Sequence, residues 1–141
     1  MNKIITIGRE FGSGGRELAR RLSEELGFAY YDQEILREIA ARTKLSESYV
    51  RAIVEHSPVS SYPIHVVRSF HPVMSPIMDQ TNKVCQEQTA IIKEMAEKSD
   101  CIIVGRCADY ILRDFHPIRI FLSSDMAEKI KRCREKSGDA E

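Results

Sequence analysis

The sequence predicts an α/β domain built on a parallel sheet covered on both faces. Three observations lead there. Ile4 to Ile7 is a β-branched run and Cys101 to Val104 a fully apolar one, the texture of strands buried on both sides. Between and after them, apolar residues recur at the three- and four-residue steps of helices. Strand and helix patterns then alternate along most of the chain, the order of a parallel sheet. In such sheets ligands gather beyond the carboxyl ends of the strands, at the switch point.

The first strand opens directly onto a glycine cluster. Gly8, Gly12, Gly14 and Gly15 fall within eight residues, and Leu18, Ala19, Leu22 and Leu26 then mark a helix from about Gly15 to Glu25, stopped by Gly27. A glycine-rich turn that opens a helix presents backbone N–H groups and the positive end of a helix dipole, and phosphate is the anion that suits it. The pattern approaches the phosphate-binding loop G-x-x-x-x-G-K-[ST] without matching it. With Gly12-Ser13-Gly14 closing the loop, Gly15 stands where the lysine belongs and Arg16 where the hydroxyl belongs. Arg16 is the candidate for the missing charge, because guanidinium grips phosphate in a bidentate fork. Ser13 and Glu17 are candidates for a magnesium contact. The alternative is a tight strand-to-helix turn without a ligand.

The elements follow in order. Phe28 to Tyr31 is a short second strand with Asp32 at its carboxyl end, and Ile35, Leu36, Ile39 and Ala40 mark an amphipathic helix. Ser46 reads as the N-cap of a further helix, with Leu45 able to staple onto Val50 and with Tyr49, Val50, Ile53 and Val54 on its apolar side. Pro58, Pro63, Pro72 and Pro76 make 57–76 an irregular connection, either a substrate flap or mobile, and its neighbourhood holds His56, His65 and His71 without metal spacing. Ile77 to Lys98 is the longest helical pattern, with Ile77, Met78, Val84, Cys85, Ile91, Ile92, Met95 and Ala96 at core spacing; such a stripe also offers an interface for a homodimer. Asp100 ends it. After the strand 101–104 come Gly105-Arg106, a helical turn from Ala108 to Arg113, and a strand from Ile118 to Leu122. Ser123-Ser124 starts a last helix with Met126, Ile130 and Cys133 inward, and Arg132 to Glu141 is a polar, fraying tail. The glycine loop, Asp32 and Gly105-Arg106 thus follow three separate strands, and their convergence suggests a nucleotide with a second phosphorylated substrate.

The totals narrow the class. At 141 residues the chain is expected to be a single domain, 1–141, with a core from 1–56 and 77–136. It has 21 basic and 21 acidic side chains, so its formal net charge is zero, which points to neither a nucleic-acid nor a membrane partner. No apolar run reaches membrane-spanning length and no signal-peptide pattern opens the chain, so a soluble, cytoplasmic protein is expected. Cys85, Cys101, Cys107 and Cys133 are scattered without C-x-x-C, which reads as reduced, mostly buried thiols rather than zinc ligands or disulfides.

Residues 5–17, Ile-Thr-Ile-Gly-Arg-Glu-Phe-Gly-Ser-Gly-Gly-Arg-Glu, resemble the opening of the cytidylate kinase-like family. So do Tyr30-Tyr31-Asp32, the stretch from Ile103-Val104-Gly105-Arg106 through Cys107-Ala108-Asp109-Tyr110 to Ile111-Leu112, the strand Arg119-Ile120-Phe121-Leu122, and the helix with Lys129, Lys131 and Arg132. The resemblance covers most of the chain. It implies a three-layer α/β/α fold of the P-loop nucleoside monophosphate kinase type, and ATP with Mg²⁺ phosphorylating a nucleoside monophosphate such as CMP or dCMP. Gly12, Ser13, Gly14, Gly15, Arg16 and Glu17 would then hold the donor phosphates. Asp32 would face the acceptor, Arg106 its phosphate, and Asp109 would join them in substrate binding; Arg16 and Arg106 would act in catalysis, and no protein-held metal is expected. The lysine of that family's kinases is Gly15 here. The chain ends soon after Lys136-Ser137-Gly138, so the C-terminal arginine-rich lid and last strand of the fold are expected to be missing. A kinase for another small acceptor, and a nucleotide-binding regulatory protein without transfer activity, remain as alternatives.

Overall fold

The structure is a computed structural model that describes residues 1–55 and 76–138, with side chains left aside at 76–78 and 137–138. The expectations for 57–75 and the histidines, and those for the side chains of Ile77 and Met78, lie outside the described residues; Pro76, expected in the irregular connection, is instead the first residue of a helix, a place that proline tolerates. In chain order the elements are β1 (Ile4–Arg9), α1 (Gly15–Leu26), β2 (Ala29–Tyr31), α2 (Gln33–Thr43), α3 (Glu47–Glu55), α4 (Pro76–Lys98), β3 (Cys101–Val104), α5 (Ala108–Ile111), a 3-10 turn at Arg113–Phe115, β4 (Ile118–Leu122) and α6 (Met126–Gly138). They form two compact units, one from Met1–Asp32 with Ile92–Glu141 and the other from Gln33–Ile91.

The first unit holds the sheet. Its strand order is β2-β3-β1-β4 and every pairing is parallel. β1 lies between β3 (Ile4 opposite Cys101, Ile7 opposite Val104) and β4 (Ile5 opposite Ile118, Arg9 opposite Leu122). Side chains alternate across a strand, so Ile5 and Ile7 share one face, where they form a buried cluster with Ala19 of α1 and with Ile102 and Val104; Leu22, Phe28, Tyr30, Ile120 and Leu122 pack around it. Ile4, Thr6 and Ile103 point to the opposite face and are buried as well. That double burial is why the first and third strands read as apolar runs. β4 pairs only with β1 among the described strands, and Ile118 and Phe121 on it are largely exposed. The Phe121 ring lies over Gly8, where a Cβ would stand 2.9 Å from a ring carbon and push the ring aside.

The helix ends follow local rules. Gly27 closes α1 at φ +68°, its N–H donating to Ser23 O, and Phe28 N–H donates to the same carbonyl at 3.2 Å, a glycine-ended cap. Asp100 Oδ1 accepts from Lys3 N–H at 2.7 Å, which ties the start of β1 to the turn before β3.

In the second unit, Ile35, Leu36, Ile39 and Ala40 of α2 and Val50 of α3 are buried. Tyr49 N–H meets Ser46 Oγ at 3.3 Å, so Ser46 caps α3 as its sequence position implies. Tyr49 itself is exposed and its hydroxyl bonds Gln80 at 2.9 Å. Among the described residues no helix is long and apolar enough to cross a membrane.

Several expectations are corrected. α6 is capped by Asp125, whose Oδ1 accepts from Glu128 N–H at 2.9 Å, rather than by the serine pair. A carboxylate suits that position better, because it also meets the positive end of the helix dipole. Residues 132–138 continue α6 instead of fraying. Met126 and Ile130 are exposed and Cys133 is only partly covered, because that apolar stripe borders an open groove and not the core. Cys85 and Cys107 are exposed. Only Cys101 among the four cysteines is buried, and burial, with a smaller contribution from the Asp100 charge, pushes its thiol up to about 11, which keeps it unreactive.

Candidate active site

β1 delivers the chain to the glycine loop at its carboxyl end. Glu10 N–H donates to Leu122 O at 3.0 Å, and Ser13 returns to Glu10 O through its N–H at 3.2 Å and its Oγ at 2.7 Å. Those bonds close the loop and place Gly12 (φ +78°) and Gly14 (φ +87°) in the left-handed region. Glycine takes that region without steric cost, whereas other residues lose roughly 1–2 kcal/mol there. Gly14 is the N-cap of α1 and supplies no side-chain oxygen to its first turn. The amides of Gly15, Arg16 and Glu17 therefore begin the helix without carbonyls four residues back inside it, as an anion site needs.

α6 roofs this loop with cations. A Cβ on Gly14 would stand 2.8 Å from Nη1 of Arg132, and one on Gly12 would stand 3.2 Å from both Cβ and O of Lys129. Arg132 Nη1 bonds Glu17 Oε2 at 3.1 Å, Arg21 bonds Glu17 Oε1 at 2.6 Å, and Lys129 Nζ pairs with Glu10 Oε2. Beside the roof lies an open groove of about 890 Å³ lined by Phe11, Met126, Ile130 and Cys133, with Glu10, Lys129 and Arg134 at its polar edges.

The Lys129 hydrogen bond first, then the Ser124 N–H, hold the Glu10 carboxyl below its ordinary value of 4.5. A depressed carboxyl contributes stability above its unfolded pKa and loses it as pH falls through the folded value, so the pair should matter at pH 7 and vanish below 4.5. Melting temperatures of the parent and Lys129→Gln should therefore differ slightly at pH 7 and draw together as the pH is taken down below 4.5; a gap that does not shrink on acidification would contradict this.

The second cluster joins three parts of the first unit. Asp32, directly after β2, is 3% exposed. Arg16 Nε reaches its Oδ2 at 2.8 Å, Arg106 Nη2 its Oδ1 at 3.4 Å, and Arg106 Nε its carbonyl at 3.1 Å, while Tyr30 OH lies 3.4 Å from Oδ2. Arg106 side-chain exposure is 7% and that of Arg16 46%. Arg106 sits in a run of left-handed residues, Gly105 (φ +66°), Arg106 (+59°) and Cys107 (+53°). Two non-glycine residues in that conformation store strain of order 1–3 kcal/mol each, a feature concentrated at functional sites.

Of the residues singled out from sequence, Gly12 to Glu17 form the loop and first turn, and Arg16, Asp32 and Arg106 meet. Arg16 spends its Nε on Asp32, which puts its charge beside the second cluster. Asp109 is exposed in the first turn of α5 and is not brought into the Asp32 cluster. The sequence reading gave Tyr30 and Lys129 no part in the site. Both carried a signal: Lys129 lies three residues from Arg132 on one helix face, and Tyr30 two residues from Asp32 along a strand.

Among the described residues no three His, Cys, Asp or Glu side chains are grouped for a metal. Magnesium in kinases needs only one or two protein oxygens plus substrate phosphates. Ser13 Oγ and the Glu17 carboxylate, the latter also paired with Arg21 and Arg132, are the oxygens of that kind at the loop.

An all-parallel sheet of this order, with a glycine loop between β1 and α1, defines a P-loop kinase-like α/β fold. The sequence matches the cytidylate kinase-like family over residues 4–141, and the chain belongs to that family. Among solved structures it is similar to an uncharacterized protein from Eubacterium ventriosum ATCC 27560, at 31% identity and TM-score 0.63, covering 98% of this chain and 66% of that one. A shikimate kinase from Acinetobacter baumannii in complex with shikimate shares the fold at 14% identity and TM-score 0.51, covering 97% of this chain and 64% of that one. The chain thus spans a little less than two thirds of the length of both. No curated protein sequence matches it significantly. Family and fold together support a kinase-like function.

Proposed function

We propose that the protein transfers the γ-phosphoryl group of ATP, with Mg²⁺, to a nucleoside monophosphate of the CMP or dCMP kind. What carries this reading is the arrangement of the first unit. An amide-lined loop under cationic side chains and an arginine clamp on a buried aspartate both sit at carboxyl ends of strands of one parallel sheet. The loop and first turn from Gly12 to Glu17 bind the donor phosphates, with the amides of Gly15, Arg16 and Glu17 as donors, Arg132 and Lys129 cover them, and Arg106, aimed by Asp32, binds the acceptor's phosphate, with Arg16 beside it. Ser13 and Glu17 would be the protein oxygens offered to a magnesium ion arriving with ATP, whose charge would offset that of the donor phosphates. Phosphoryl transfer asks little covalent chemistry of a protein; positioning and charge stabilisation supply the rate.

The test is coupled ADP release with CMP, dCMP, UMP and AMP as acceptors. Turnover should be highest with the cytidine nucleotides. Turnover only with a different small acceptor would reassign the substrate, and ATP binding without any turnover would leave a nucleotide-binding regulator.

A further inference from the structure

We infer that Arg9 takes the part of the lysine that the phosphate-binding loop lacks, gripping the donor's terminal phosphates, and that Gly15 is glycine because the Arg9 side chain fills the space a lysine there would need. This rests on the phosphotransferase reading above and extends it to a residue not yet given a role.

Arg9 is the last residue of β1 and, by the two-residue period of the strand, lies on the face of Ile5 and Ile7, beneath α1. Its aliphatic stem runs across Gly15. A Cβ built on Gly15 would lie 2.6 Å from Arg9 Cδ, 2.7 Å from Cβ and 3.0 Å from Cγ, well inside the roughly 3.5–4.0 Å at which carbon atoms pack. Its guanidinium then reaches the turn after β3, where a Cβ on Gly105 would stand 2.6 Å from Nη1. Two glycines, one opening α1 and one in the turn after β3, thus leave a trough that Arg9 occupies, from the start of α1 to the turn bearing Arg106.

Charge supports the same assignment. Arg16 and Arg106 are paired with Asp32, Lys129 with Glu10 and Arg132 with Glu17. The Arg9 guanidinium has no carboxylate or hydrogen-bond partner among the described residues, although the residue is half-buried. A partly desolvated cation without a counter-charge, its stem against Gly15 and its guanidinium at the turn after β3, is matched by an anionic ligand, and a guanidinium binds phosphate in a fixed two-point geometry. The cation of the loop is then supplied from the strand before it instead of from the helix after it.

The experiment uses the full chain as parent, Arg9→Ala, Arg9→Gln, Gly15→Lys and the double variant Arg9→Ala/Gly15→Lys. Two quantities are read: melting temperature without nucleotide, and Mg·ATP affinity by calorimetry. Arg9→Ala and Arg9→Gln should each weaken ATP binding about tenfold to a hundredfold, the glutamine showing that charge and not packing is lost. Gly15→Lys alone should melt lower and bind ATP poorly, because its side chain collides with Arg9. The double variant should regain both melting temperature and most of the affinity. Parent-like affinity in Arg9→Gln, or a double variant no better than Arg9→Ala, would overturn the inference while leaving the phosphotransferase reading intact. No ATP binding by the parent would overturn both.

Discussion

Replacing Asp32 with alanine should destabilise the protein by about 3 kcal/mol and abolish turnover. The carboxylate is almost wholly buried and holds two arginines, Arg16 of the first turn of α1 at 2.8 Å and Arg106 of the turn after β3 at 3.4 Å. Arg16 is nearly half-exposed and can return to water; Arg106, with a side chain 7% exposed, cannot do so without leaving its place. Removing one partner of a buried pair strands the other charge, which typically costs about 3–5 kcal/mol, and the solvent access of Arg16 puts the expectation at the lower end. Against a total stability of roughly 5–15 kcal/mol this is a large fraction. Urea unfolding reads it directly, as a midpoint lowered by roughly 1–3 M at unchanged slope. Asp32→Asn keeps the volume and an acceptor oxygen but loses the charge, so it should cost about 1–2 kcal/mol and fold well enough for kinetics. An alanine variant within about 0.5 kcal/mol of the parent, the range of ordinary surface substitutions, would mean the arginines do not depend on this carboxylate.

The sheet was readable because its strands are buried on both faces, which leaves uninterrupted runs at Ile4–Ile7 and Cys101–Val104 that no other element mimics at that length. The glycine loop was readable because a left-handed turn at Gly12 and Gly14 demands a residue type. Asp32 and Arg106 were readable as strand-end residues, yet their partnership was not. It depends on β2 and β3 lying side by side in the sheet, which places residues 74 positions apart at 3.1 Å. The misreading of α6 has a different origin. The period of Met126, Ile130 and Cys133 tells which side of the helix is apolar, but not whether another element covers that side, and here it borders an open groove. Arg9 was passed over because a charged residue ending a strand usually meets solvent; only the two glycines it presses on reveal otherwise.

Arg106→Lys should lower kcat/KM for the acceptor about a hundredfold and change ATP affinity by less than about twofold, in keeping with the loss of one aimed charge-stabilising donor. The substitution keeps the charge, and it keeps the left-handed backbone strain, since neither side chain is favoured at φ +59°. What it removes is geometry. The guanidinium is fixed by two of its nitrogens on Asp32, Nε on the carbonyl at 3.1 Å and Nη2 on Oδ1 at 3.4 Å, and that pair of bonds sets the plane it presents to a phosphate. An ammonium on a flexible stem can satisfy the carboxylate but cannot hold a plane. If Arg106 serves the acceptor, the loss falls on acceptor kinetics; if it only braces the turn after β3, the lysine variant should lose stability while its kcat/KM per folded molecule stays near that of the parent. Measuring initial rates over a grid of ATP and CMP concentrations separates the two, because a bracing role predicts no selective change in the acceptor constant. The backbone strain bears on the same choice. Three consecutive left-handed residues are worth keeping only if they aim something, and a selective acceptor defect would identify the aimed group as the Arg106 guanidinium.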